Sequence, residues 1–152
     1  MTILRKRENF RKAFADFDFE QVALFGKRDV ERLLHDAGIV RHRGKIEAAI
    51  NNAARAVELV EEEGSLAAYV WRFEPDAASR PVLLTWDALL EMSQTPESQA
   101  LAKDLKRRGW RFVGPTTVYA FMQAMGVVND HLDGCDIRKP AERARATFTP
   151  PS

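Results

Sequence analysis

The chain has 152 residues, 45% of them hydrophobic and 30% charged, a length and balance that fit one soluble domain with its own buried core. A formal net charge of +1 excludes a polycation, so any contact with nucleic acid must come from a local patch. Cys135 is the only cysteine, which excludes an internal disulfide; without a signal-peptide run or a bilayer-length apolar stretch, the reading is a reducing, cytoplasmic setting and no membrane partner.

In chain order, ILRKRENFRKAFADF sets Ile3, Phe10, Phe14 and Phe17 on one face of a helix running from the start to residue 17. No residue precedes Met1 to cap it, so an upstream segment is expected to be missing. Asp18 is placed to cap a short helix over Phe19 to Phe25, Gly26 breaks the pattern, and a helix from Asp29 carries Val30, Leu33 and Leu34 inward and stops at Gly38. Arg41, His42, Arg43 and Lys45 form a basic cluster at the foot of a long helix whose inward residues are Ile46, Ile50, Ala53, Val57 and Val60. Glu61, Glu62 and Glu63 oppose the dipole at its C-terminal end, costing about 0.3 to 1 kcal/mol each at a solvated surface, and Gly64 is its stop.

Ser65 caps an expected helix over Leu66 to Phe73, Pro75 and Pro81 argue for a loop, and Thr85 with Asp87 starts a brief helix over Trp86 to Met92. Thr95, Pro96 and Glu97 give three agreeing start signals for a helix that ends near Gly109 with Lys106, Arg107 and Arg108 in its last turn. Trp110, Arg111, Phe112 and Val113 fit only a turn, and Gly114-Pro115 opens the next helix, inward through Val118, Phe121, Met122 and Met125.

Glycine-flanked backbone at the start of a helix, beside Lys103, Lys106, Arg107, Arg108 and Arg111, suits a nucleic-acid phosphate. An ordinary helical hairpin whose cations complement a helix C-terminus is the alternative. No segment alternates like a strand, so the fold class is all-α. His131 and Cys135 stand four apart, the spacing that puts two side chains on one helix face, and both are common zinc ligands. They make half a tetrahedral site; a capping histidine and a buried thiol are the alternative. His35 and His42 have no cysteine nearby and read as surface or packing residues. The domain is expected to run over residues 1–140, with residues 141–152 a flexible tail.

Four stretches, LRKRENFR from Leu4, DVERLLHDAGIVRHRGKIEAAINNA from Asp29, LKRRGWRFVGPTTVYAFMQAMG from Leu105 and VNDHLDGC from Val128, resemble in content and order the DNA-3-methyladenine glycosylase I family of the helix-hairpin-helix glycosylases. The resemblance implies a helical glycosylase fold and base-excision repair by hydrolysis of the N-glycosylic bond of 3-methyladenine in alkylated double-stranded DNA. It implies that Lys106, Arg107, Arg108, Gly109, Trp110, Arg111, Phe112, Val113, Gly114 and Thr116, with Arg41 and Arg43, meet the DNA. Lyase-type relatives carry a lysine two residues after the hairpin's last glycine; Thr116 stands there, so strand cleavage through a Schiff base is not expected.

Asp130 stands roughly where many relatives carry a catalytic aspartate, but the family resembled does not assign it that role, and a structural Asp130 bonding a turn is expected. His131 and Cys135 match the C-terminal half of the family's structural zinc site. The family's other two zinc ligands and its base-pocket residues lie in a segment upstream of LRKRENFR, so the resemblance implies a chain without its catalytic pocket and with an incomplete zinc shell. The second reading is a non-catalytic DNA-binding fragment or pseudoenzyme. The third is an oligomer, in place of a monomer, paired through exposed apolar helices and sharing one zinc between two half-sites.

Overall fold

The structure, a computed structural model, describes residues 2–151; the expectation about a cap at Met1 lies outside them. Among the described residues there are helices and turns and no strand, as expected for an all-α chain. The helices are α1 (Thr2–Arg5), α2 (Arg7–Ala13), α3 (Phe19–Ala23), α4 (Lys27–His35), α5 (Arg43–Glu63), α6 (Leu66–Trp71), α7 (Trp86–Glu91), α8 (Pro96–Arg107), α9 (Pro115–Ala124) and α10 (Arg138–Thr147). They fall into two compact units: Met1–Gly64 with Arg108–Phe112, and Ser65–Arg107 with Val113–Ser152.

In the first unit, α3 and α4 pack on α5 around Ala13, Phe14, Val22, Val30, Leu33, Ile39, Ile46 and Ala53. The single helix expected over residues 2–17 is broken twice. Lys6 interrupts it, donating from Nζ to the Ala37 carbonyl at 2.7 Å. Ala15, Asp16 and Phe17 then all have positive φ, a left-handed stretch that L side chains rarely adopt. Local periodicity mistook the face, because Phe10 and Phe14 alone of the four reach the core; Ile3 is 58% and Phe17 52% exposed. The next helix forms where Asp18 caps it through the N–H groups of Glu20 and Gln21.

The long helix α5 ends at Gly64, φ +82°, a value that glycine adopts without strain. Its expected face is present in Ile46 and Ala53, with Ile50, Val57 and Val60 half-buried. Ala48, Ala56 and Leu59 are buried as well; at 100° per residue Ala48 and Leu59 lie on the opposite side and Ala56 on the flank. Small alanines carry little hydrophobic signal, which is why periodicity identified one face of a helix buried on two.

In the second unit α8 packs on α9, with Leu101, Ala102, Val118, Tyr119 and Met122 buried. Helix α8 starts in a reciprocal cap: Thr95 N–H donates to Ser98 Oγ at 2.8 Å and Ser98 N–H to Thr95 Oγ1 at 3.2 Å. Of the flexible tail expected from residue 141, residues 141–147 lie in α10. The Arg145 guanidinium chelates Glu74 and lies 5.0 Å from the centre of the Trp71 ring, itself packed on Phe148. These partners are distant in sequence, so the Arg, Thr and Pro composition gave no sign of the anchorage.

Candidate nucleic-acid interface

The turn after α8 has the backbone its glycines require. Gly109 has φ +83°, a value strained for other residues, and the first unit takes the chain from Arg108 to Phe112. There α5 holds it by side chains. Asn51 Nδ2 donates to the Gly109 carbonyl at 2.9 Å. Asn52 takes both polar groups of the Arg111 peptide, donating from Nδ2 to its carbonyl at 2.9 Å and accepting its N–H at Oδ1 at 2.8 Å. At the far end of α5, Glu62 and Glu63 receive the Arg108 guanidinium at 2.5 and 2.7 Å.

The basic residues singled out in the sequence therefore have different situations. Lys106 is exposed. Arg107 is exposed and paired with Asp104 one turn back. Arg108 is turned inward onto the glutamates that sequence reasoning left without a role. Arg111 is exposed while its backbone is held. Trp110 and Val113 are half-buried, and the Trp110 indole N–H is buried without a partner, as is Nε of Arg55, whose Cδ would lie 3.5 Å from a Cβ on Gly109. Phe112 is 59% exposed at φ +57° and meets the His42 ring edge-on, centroids 6.5 Å apart.

That contact brings Phe112 to the second basic cluster. His42 caps α5, its Nδ1 accepting the Lys45 N–H at 3.1 Å, so the ring proton of a neutral His42 sits on Nε2. Arg41 is exposed. Arg43 is compensated: it bonds Glu31 at 2.7 Å and pairs with Glu47 at 3.6 Å, and the hydrogen bond with Glu31 raises the pKa of the guanidinium and lowers that of the carboxyl. These three rim an open groove of about 440 Å³ whose lining includes Phe25, Val30 and Ile50.

In the second unit Gly114 caps α9 without any side-chain bond, Pro115 follows at the first helical position, and Thr116 is exposed in the first turn. The unbonded N–H groups of a helix start suit an anion. The densest polar cluster here centres on Asp130, whose side chain is 7% exposed. Its carboxylate accepts from Tyr119 O–H at 2.5 Å, from Gln123 Nε2 at 2.7 Å and from the Arg80 guanidinium. Asp130 thus ties a loop to a helix instead of bonding a turn. Burial first, then the bond to Asp130, pushes the Tyr119 hydroxyl up to about 12.

His131 and Cys135 do not share a helix face; residues 129–137 form turns. Gly134, φ +84°, bends the chain between the two. Asn129 Oδ1 lies 2.7 Å from His131 Nδ1, which places the ring proton there and leaves the Nε2 lone pair for a ligand. That suits a zinc-binding histidine, although no group of three or more His, Cys, Asp or Glu able to hold a metal ion occurs among the described residues.

The comparisons agree on one family. Residues 1–139 match the Methyladenine glycosylase family. The chain is 46% identical to DNA-3-methyladenine glycosylase 1 of Escherichia coli (strain K12) over 136 residues, 89% of this chain and 71% of that one. Its fold is similar to a crystal structure of 3-methyladenine DNA glycosylase I, TM-score 0.75 at 48% identity, covering 89% and 73% of the two chains. It is also similar to 3-methyladenine DNA glycosylase I from Staphylococcus aureus, in a structure concerned with recognition of 3-methyladenine: TM-score 0.79 at 34% identity, covering 90% and 72%. The helical fold and these likenesses agree, and the chain belongs to the methyladenine glycosylase family.

Proposed function

We propose that this chain serves base-excision repair as a DNA-3-methyladenine glycosylase, hydrolysing the N-glycosylic bond of 3-methyladenine in alkylated double-stranded DNA, with Gly109–Gly114 as its phosphate-gripping hairpin. The observation that carries the DNA role is the anchoring of Arg108–Phe112 on α5: two asparagines and an arginine hold the backbone, leaving the Arg111 side chain exposed, as Lys106 is on the preceding helix. Contacts of this kind read charge and backbone, not sequence, as a search for rare lesions demands.

The chemistry asks little acid catalysis of the protein. A purine methylated at N3 carries a positive charge and leaves C1′ as a neutral base, taking the bonding electrons. Water then adds to C1′ and gives up a proton, leaving an abasic site. What the enzyme must supply is extrusion of the base and a pocket to receive it. Thr116 stands where lyase-type relatives carry a nucleophilic lysine, so the abasic strand is left uncut.

His131 and Cys135 are proposed to give two ligands of a structural zinc, whose role would be to cross-link the turns around them. Bacterial relatives support action in the bacterial cytoplasm on nucleoid DNA; no helix among the described residues is long and apolar enough to cross a membrane.

Two measurements test this reading. The 152-residue chain is incubated with duplex DNA treated with a methylating agent and released bases are separated; release of 3-methyladenine, with the phosphodiester strand intact, supports the enzymatic reading and refutes the expectation of a chain without its catalytic pocket. Salt-dependent duplex binding without base release overturns the enzymatic reading for this chain and leaves a module that only holds DNA.

A further inference from the structure

We infer that Asn52, assisted by Asn51, is a positioning residue that presets the hairpin backbone for phosphate capture, with Arg108 as a second anchor instead of a DNA contact. The inference rests on the proposed reading of the hairpin as the DNA grip. Two adjacent asparagines in the middle of a 21-residue helix are poor helix formers, and the fold spends both side chains on one distant backbone segment. The Asn52 amide meets the Arg111 peptide as a strand neighbour would, one donor to one acceptor in each direction. Its orientation is fixed, because only Oδ1 can accept the Arg111 N–H. Asn51 adds a donor to the same oxygen at 3.2 Å.

The residue after Arg111 explains why such a clamp is needed. Phe112 sits at φ +57° without being glycine, a conformation that persists where its surroundings over-determine it. Holding the Arg111 backbone beside it, while the Arg111 side chain stays exposed, fixes the turn and leaves a cation for solvent or phosphate. Arg108 divides the labour further, since Glu62 and Glu63 hold its guanidinium.

The test is duplex affinity of the 152-residue chain, read by fluorescence anisotropy across a salt series with a short duplex bearing an abasic-site analogue. Asn52→Ala is expected to raise Kd about tenfold, equivalent to about 1.4 kcal/mol, with its helical circular dichroism retained. The slope of log Kd against log salt is expected to stay unchanged, because no charge is removed and the contacts re-form in the complex. An unchanged Kd in the folded variant overturns the positioning role, and so does a slope shallower by a whole phosphate contact. Should Asn52→Ala fail to fold, Asn51→Ala, which removes one surface bond to the hairpin, is expected to raise Kd about threefold, and no rise overturns the inference. Lys106→Ala and Arg111→Ala test the underlying reading separately: if neither weakens binding, the hairpin is not the DNA grip.

Discussion

Removing the Asp130 carboxylate is expected to destabilise this protein more than removing any exposed charge. Its side chain is 7% exposed, that of Arg80 17%, and each oxygen has a partner: Arg80 on one, Tyr119 and Gln123 on the other. Asp130→Ala leaves a largely buried guanidinium without its counter-ion and the buried Tyr119 hydroxyl without its acceptor, although the two still meet each other at 3.4 Å, at a cost of about 3–5 kcal/mol, against a total stability of about 5–15 kcal/mol for a domain of ordinary size. At about 2–4 °C per kcal/mol for a chain of this length, Tm falls by about 6–20 °C. Asp130→Asn keeps the volume and one acceptor oxygen and loses about 1.5–3 kcal/mol, the worth of charge-assisted bonds. The double variant Arg80→Met/Asp130→Leu removes both charges and is expected to be more stable than Asp130→Ala. Urea denaturation followed by circular dichroism measures all three. Asp130→Ala within about 1 kcal/mol of the parent would refute the reasoning, since the carboxylate could then hold neither loop nor helix.

Arg108→Ala is expected to cost about 1–2 kcal/mol in the same assay, mostly through the less exposed Glu63 pair, and Glu62→Gln clearly less, because that carboxylate is 62% exposed. Tyr119 raises a pH prediction: its folded pKa of about 12 lies above the unfolded value of about 10, so the stability it contributes is complete below pH 10 and is lost as pH climbs toward 12. Ultraviolet difference titration should show a late-ionising tyrosine that Tyr119→Phe abolishes; an unchanged titration curve counts against the buried hydroxyl. Leu101→Ala, at a site with 0% exposure, is expected to cost about 2–5 kcal/mol, and a loss below about 1 kcal/mol would mean that the α8–α9 core can collapse around the gap.

What was legible in the sequence is what acts within one helical turn. Asp18, Ser65, Thr85 and Thr95 cap helices where expected, and Gly109 and Gly114-Pro115 bound the turn, because a cap and the N–H it satisfies lie within four residues of each other. What was illegible acts at a distance. Asn52 is 59 residues from Arg111 and Glu63 is 45 from Arg108, so the glutamates read as an unfavourable helix end and the asparagines as no signal at all. The adjacent asparagines could have raised the question, since two poor formers inside an amphipathic helix need a reason. Arg80, the partner of Asp130, lies in the least periodic part of the chain, where neither spacing nor propensity says what a side chain touches. The His131–Cys135 interval shows the opposite error: four residues read as one helix face span turns instead.

The first unit includes a five-residue patch from the far side of residue 100, held onto α5. The polypeptide therefore passes out of that unit after Gly64, returns at Arg108 and departs again after Phe112. No single proteolytic cut can release two self-sufficient halves, and a ribosome-bound chain stopped short of residue 108 lacks the loop that α5 is furnished to hold. Folding of the two units is consequently interleaved in sequence, so limited digestion between α6 and α8 should yield nicked but associated fragments before it yields separate ones.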